Sequence, residues 1–259
     1  VTKKGQVKKT SLAKYSKPRV NGVAAITIKE GDELLGAQLT NGESQIIMAV
    51  KSGKLVRFEE TKTRPMGRTA SGVRGITLKD ESDEVIGMVT VNDMSSEILV
   101  VAENGYGKRS SLDDYRVTNR GGKGVKTLNI TEKTGKLISI NSVTDNDDLM
   151  IINKSGLTIR MAVEDLRVMG RATQGVKLIN IKGNDSIAAV AKVMKDDVTE
   201  DEPIIGEDGE IIPAATIERV KPVLEILEDD GVADDDDDDD DVEMEDEDDA
   251  DDAEEDNEE

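Results

Sequence analysis

Ile46-Ile47-Met48-Ala49-Val50-Lys51-Ser52-Gly53-Lys54-Leu55-Val56-Arg57-Phe58 reads as two strands around a tight turn. The first five residues form an apolar, β-rich run, and Ser52-Gly53 favours the positive φ of a short hairpin. The returning stretch, Lys54 to Phe58, alternates polar and apolar positions, which predicts one buried face and one wet, basic face. The design recurs further on. Ile98-Leu99-Val100-Val101 runs up to Asn104-Gly105, and Leu149-Met150-Ile151-Ile152 runs up to Ser155-Gly156.

Working outward from that hairpin, a long period emerges. Turn glycines stand at Gly5, Gly53, Gly105 and Gly156, spaced 48, 52 and 51 residues apart. Each is followed within five residues by a base: Lys8 and Lys9, Arg57, Lys108 and Arg109, and Arg160. A second glycine keeps the same beat in Gly22-Val23, Gly72-Val73, Gly124-Val125 and Gly175-Val176, with an aliphatic residue three positions beyond each valine. The two glycines are 19 residues apart in three repeats and 17 apart in the first. Strand-rich units of this length with glycine turns predict an all-β array of four propeller-like blades, with a linear β-solenoid as the structural rival.

Charge divides the 259 residues into two parts. Residues 1–194 hold 31 bases and 22 acids, whereas 195–259 hold 3 bases and 34 acids. The tail has no aromatic residue and includes the unbroken run Asp234 to Asp241, so it is expected to be largely disordered, too polar to repay the entropy of ordering. Cys and His are absent from the sequence, which removes disulfides, thiolate chemistry and the commonest general base and transition-metal ligand. No run approaches the ~18 apolar residues that span a bilayer. Val1-Thr2-Lys3-Lys4 carries neither an apolar signal segment nor an initiator Met. The expectation is a soluble, intracellular chain with residues upstream.

Ahead of the second glycine lies a loop that is basic in every repeat: Lys17-Pro18-Arg19-Val20-Asn21, Arg68-Thr69-Ala70-Ser71, Arg120-Gly121-Gly122-Lys123 and Arg171-Ala172-Thr173-Gln174. In three of them Arg stands four residues before the glycine. Arginine repeated at one place on successive blades suits a long polyanion on a rim, where each phosphate contact releases condensed counterions. Arg74, Lys126 and Lys177, just beyond the second glycine, belong to the same candidate surface. Arg120-Gly121-Gly122-Lys123-Gly124 is the sharpest local signal: glycines can leave N–H groups open to a phosphate, or can merely satisfy a strained turn. It lacks the first Gly and the Ser or Thr of a Walker A loop. Phe58, Tyr15, Tyr106 and Tyr115 are too few for a base-stacking platform, so duplex binding is favoured over single-strand binding. Tyr15 and Tyr115, ten residues after their turn glycines, are expected to be structural.

Residues 1–193 resemble the C-terminal domain of the A subunit of DNA gyrase, with the A subunit of topoisomerase IV as second choice. The resemblance rests on Asn104-Gly105-Tyr106-Gly107-Lys108-Arg109, on Met66-Gly67-Arg68-Thr69-Ala70-Ser71-Gly72-Val73-Arg74-Gly75, and on Val168-Met169-Gly170-Arg171-Ala172-Thr173-Gln174-Gly175-Val176. It implies a β-pinwheel, whose blades exchange strands, with duplex DNA bound on a basic outer edge. It also implies partners, namely the rest of the gyrase A subunit together with the gyrase B subunit in an A2B2 assembly, in the bacterial cytoplasm. The family's box, Gln-Arg-Arg-Gly-Gly-Lys-Gly in the first blade, is matched only in its last five residues, by Arg120 to Gly124 in the third repeat. An upstream blade bearing the full box is the corresponding expectation. The resemblance places the cleaving tyrosine, the metal-binding acids and the ATPase elsewhere, so catalytic residues, metal and cofactors are expected to be none in this chain, with ATP and Mg2+ acting through other domains or the partner subunit. The tail would act as a competitor of DNA for the rim, or as a simple solubility tail. A propeller-like protein-interaction scaffold is the alternative function.

Overall fold

The computed structural model describes residues 1–195 except Lys182 and Asn184, together with the backbone pair Ile204–Ile205 and Ile211–Ile212. The acidic tail and its expected disorder lie otherwise outside the described residues. In chain order the strands are β1 (Gln6–Val7), β2 (Gln45–Val50), β3 (Lys54–Glu59), β4 (Val73–Arg74), β5 (Val85–Val91), β6 (Glu97–Ala102), β7 (Tyr106–Ser111), β8 (Val125–Lys126), β9 (Leu137–Val143), β10 (Asp147–Asn153), β11 (Thr158–Ala162), β12 (Val176–Lys177) and β13 (Ile187–Met194). Helix among the described residues is confined to 3₁₀ turns of three or four residues, each following a returning strand.

Two compact units divide the described chain. The first holds Val1–Asn92 with Tyr115–Lys126. Its four-stranded antiparallel sheet runs β5-β2-β3-β8, and β1 pairs with β4. One core joins Val1, Val7, Ile46, Met48, Val50, Val56, Phe58, Ile76 and Val85. The second unit holds Asp93–Asp114 and 127–195, with sheets ordered β12-β7-β6-β9 and β11-β10-β13. Its core gathers Leu99, Val101, Val143, Leu149, Ile151, Met161 and Leu166 with Val176, Leu178 and Ile187.

The hairpins fall where the repeats predict. Ile46 faces Phe58 across the Gly53 turn, Ile98 faces Ser110 across Gly105, and Leu149 faces Met161 across Gly156. All eight repeat glycines have positive φ, between 76° and 96°. The second glycine has a further task. Its Gly-Val step enters a two-residue strand that pairs antiparallel with the returning strand of the preceding repeat: β4 on β1, β8 on β3 and β12 on β7. A Cβ on Gly72, Gly124 or Gly175 would sit 2.7, 2.5 or 2.6 Å from the carbonyl oxygen of Val7, Leu55 or Gly107. Only a glycine lets the two backbones approach this closely. At Gly22 a Cβ would meet nothing within 4 Å.

This exchanged strand makes the array a β-pinwheel and removes the solenoid, since each of the two four-stranded sheets is a hairpin plus an outer strand from one repeat and an edge strand lent by the next. Two expectations need correction. The first repeat does not form a set of short strands: β1 is its strand, and residues 16–43 contribute an isolated bridge at Leu34. The wet, basic face is also wrong, because Leu55, Val56, Arg57 and Phe58 are all buried in β3, and β7 is buried from Tyr106 through Ser110. A sheet covered on both faces has no solvent side for alternation to mark.

Candidate nucleic-acid interface

Bases that follow the turn glycines face inward: Lys9, Arg57 and Arg109 hold the next repeat, and Arg160 holds its own hairpin. Arg57 is 7% exposed; its Nε donates to Gln45 Oε1 at 2.7 Å and its Nη1 to the Tyr115 carbonyl at 2.8 Å. Arg109, one repeat on, is 8% exposed, donates to the Leu166 carbonyl, and pairs with Asp145 and with Glu97 at 2.9 Å. Lys9 reaches the Glu60 carbonyl at 3.0 Å, and Arg160 reaches the buried carboxylate of Asp148 at 2.7 Å. Each occupies the fourth position after its turn glycine. These residues, candidates for DNA on the sequence alone, are structural straps: a guanidinium supplies several donors to carbonyls that the strand ends leave unsatisfied.

Lys8 and Lys108, at the third position, do a related job. Lys108 is fully buried, and its Nζ donates to the carbonyls of Gly170 at 2.6 Å and Arg171 at 2.5 Å and to Thr173 Oγ1 at 3.1 Å. Lys8 donates to the carbonyls of Ala25 at 2.7 Å and of Arg68. Burial, and the nearby charge of Lys14, hold the Lys8 ammonium below the ordinary lysine range. Both ammonium groups thus sit beneath a loop arginine of the following repeat and fix its backbone.

The third loop is built differently. Val56 stands where Lys8 and Lys108 stand in their repeats. Arg120 instead bends back on the chain, donating from Nε to the Lys62 carbonyl at 2.9 Å and from Nη1 to the Arg74 carbonyl at 3.2 Å. The Gly121 N–H donates to the Gly75 carbonyl at 2.7 Å, while the Gly121 and Gly122 carbonyls accept from Thr77 Oγ1 and N at 2.6 and 2.9 Å. Of the two readings of this glycine loop, the strained turn holds for Gly121, whose N–H is spent on backbone. Gly122 and Lys123 are the exposed part.

What faces solvent is an outer rank of bases. Arg19, Arg74 and Lys123 are exposed, and Arg68, Arg120, Arg171, Lys126 and Lys177 are half-buried. Arg74, Lys126 and Lys177 occupy one position on the three exchanged strands, opposite Gln6, Lys54 and Tyr106. Sequence reading missed a further column. Arg64, Arg116 and Arg167 are exposed, eight residues before the second glycine in three repeats. Their fixed spacing from Gly72, Gly124 and Gly175 was the available signal. Tyr115 is fully buried, and Tyr15 is half-buried with its hydroxyl 3.4 Å from the Ala25 carbonyl, as structural tyrosines should be. Among the described residues no group of three His, Cys, Asp or Glu could hold a metal ion, and no helix is long and apolar enough to cross a membrane.

Hairpin blades tied by exchanged strands, with bases at recurring positions of the repeat, define a pinwheel-type propeller. The chain belongs to the family of the DNA gyrase C-terminal domain, a β-propeller, whose model matches residues 1–41, 45–92, 96–144 and 147–194, one match per repeat. It is 46% identical over 212 residues to the A subunit of DNA gyrase from Staphylococcus aureus strain MRSA252, covering 80% of this chain and 24% of that protein. The chain thus spans about a quarter of the length of such relatives. Two solved structures share the fold: the C-terminal domain of DNA topoisomerase IV, with a TM-score of 0.71 at 24% identity over 75% of this chain and 61% of that one, and the DNA gyrase A C-terminal domain, with 0.66 at 23% identity over 75% and 64%.

Proposed function

We propose that this chain is a non-catalytic module that binds and wraps duplex DNA for a type II topoisomerase, DNA gyrase, and so supports negative supercoiling. The observation that carries the reading is the outer rank of bases, placed by the repeat at matching positions of successive blades. A surface of that kind engages a phosphate backbone without reading bases. The gyrase assignment over topoisomerase IV rests on the sequence relatives, since the likeness to solved structures extends to both. ATP and Mg2+ belong to other domains of the parent enzyme or to the partner B subunit of an A2B2 assembly in the bacterial cytoplasm, and no residue here is assigned to either. The acidic tail is a tethered competitor: 34 acids in residues 195–259, at high effective concentration, oppose the basic body.

The test is duplex binding by the full chain and by a variant with Asp234 to Asp241 replaced by Asn, across a salt series. Affinity should fall steeply with salt, and the variant should bind more tightly. Plasmid relaxed in the presence of the chain should change linking number. A protein scaffold with an acidic partner would produce neither the salt slope nor the topological change.

A further inference from the structure

Within the exposed column, each arginine is followed by an exposed apolar residue: Arg64-Pro65, Arg116-Val117 and Arg167-Val168. The first repeat carries Lys17-Pro18, also exposed, but 12 residues after its turn glycine where the other three pairs start 11 after theirs. Val117 and Val168 keep 44% and 48% of their surface in water, although the residue before each pair is a core position: Thr63, Tyr115 and Leu166 are buried. The backbone beneath the pairs is held alike in three repeats. Met66, Thr118 and Met169 each donate an N–H at 2.8 Å to the carbonyl of the strap residue Lys9, Arg57 or Arg109. Pro65 and Val168 also bridge Lys9 and Arg109 in parallel. In three repeats the same backbone anchor thus carries an exposed arginine and an exposed small apolar residue side by side. About half of each valine's surface stays in water.

We propose that these pairs meet the edge of the DNA minor groove, the arginine entering the groove and the Pro or Val lying against deoxyribose. The proposal rests on the DNA-wrapping reading and specifies its contact. The narrow minor groove concentrates negative potential and draws in single arginines, and apolar side chains, proline among them, are the usual companions at bent steps. The major groove is the natural seat of an α-helix or β-ribbon, and the described elements on this edge are 3₁₀ turns, loops and two-residue strands. Proteins that wrap duplex without reading sequence insert arginine each time the minor groove faces inward, and a pair recurring by repeat suits that pattern.

The experiment uses the full chain and three variants: R64Q/R116Q/R167Q, V117S/V168S and R171Q. The probes are an A·T-rich duplex and its counterpart in which 2,6-diaminopurine replaces adenine, which adds an amino group to the minor groove alone. Unfolding temperatures control for the fold. The proposal requires that the triple arginine variant bind roughly tenfold or more weakly, that the valine variant lose affinity several-fold with an unchanged salt slope, and that diaminopurine weaken wild type but not the triple variant. Equal affinity of wild type for the two duplexes, or an undiminished affinity of the triple variant, overturns it. Loss of binding in R171Q with none in the triple variant would leave the wrapping reading intact and sink only this contact. Failure of wild type to bind either duplex at low salt would sink both.

Discussion

Replacing Lys108 by Met separates a residue that holds the interface from one that touches DNA. The Lys108 ammonium is fully buried and donates to the Gly170 and Arg171 carbonyls and the Thr173 hydroxyl. Met fills a similar volume and donates nothing, so two carbonyls lose charged donors. An unsatisfied buried polar group costs ~1–3 kcal/mol, partly offset because the lysine no longer has to be desolvated. The net is about 2–4 kcal/mol, which for a domain of this size lowers Tm by roughly 5–15 °C. Calorimetry of the full chain reads the shift. DNA titrations well below Tm supply the second readout: with its backbone released, Arg171 must be ordered on binding, so affinity falls, yet its ionic contact is still made and the slope of log K against log salt stays as in wild type. R171Q should reduce that slope by ~0.9, because one phosphate contact is lost. If K108M leaves Tm unchanged, the lysine does not hold the loop. If it flattens the salt slope as R171Q does, the lysine is itself a phosphate ligand, and the division between inner and outer bases is wrong.

Alanine substitutions should rank the exchanged strands. Gly124→Ala sets a Cβ 2.5 Å from the Leu55 carbonyl at φ +76° and should destabilise its unit by about 3 kcal/mol or more, whereas Gly22→Ala, at φ +78° with open space around it, should cost only the ~1 kcal/mol of left-handed backbone; denaturant midpoints of the two variants compare them. On the acid side, hydrogen bonds from Ser82 to Asp80, from Ser95 to Asp93 and from Ser155 to Asp185 hold these carboxyls below their ordinary values. Their folded values are depressed, so their contribution is present above the unfolded value and lost as pH falls through the folded one. Tm followed from pH 6 downward should decline through the carboxylate range, less steeply for the variant with Asn at all three positions, and equal slopes would contradict the assignment.

The three hairpins and the repeat period were legible because a positive-φ glycine is a local demand. Gly53, Gly105 and Gly156 each sit between the two strands they join, and spacing alone recovers them. The fate of the strand bases was not legible. Alternation in Lys54 to Phe58 says that Arg57 and Leu55 share a face, but the groups that satisfy the guanidinium are Gln45, 12 residues away, and the Tyr115 carbonyl, 58 residues away. Solvent and a remote carbonyl present the same chemistry to an arginine, and a periodicity cannot tell one from the other. The same blindness affected the glycine loop, where Gly75 and Thr77 occupy the backbone that looked open to phosphate.

Burial of so many bases has a consequence for the charge that remains outside. Lys9, Arg57, Lys108, Arg109 and Arg160 are tied to carbonyls and carboxylates, so the excess of 31 bases over 22 acids in residues 1–194 overstates what a passing duplex meets at short range. Within the box-like loop Arg120 is folded onto Lys62 and Arg74 as well, while Lys123 is exposed. On the proposed reading a bound duplex depends on a smaller set of outward bases, and at Arg68 and Arg171 the loop backbone is held by an inward lysine of the preceding repeat. In a surface built that way, removing an outer base subtracts one ionic contact, whereas removing an inner base misplaces several polar groups at once. The inner ranks should then be the more damaging to lose per residue, and they are the ones a charge map of the surface would fail to mark.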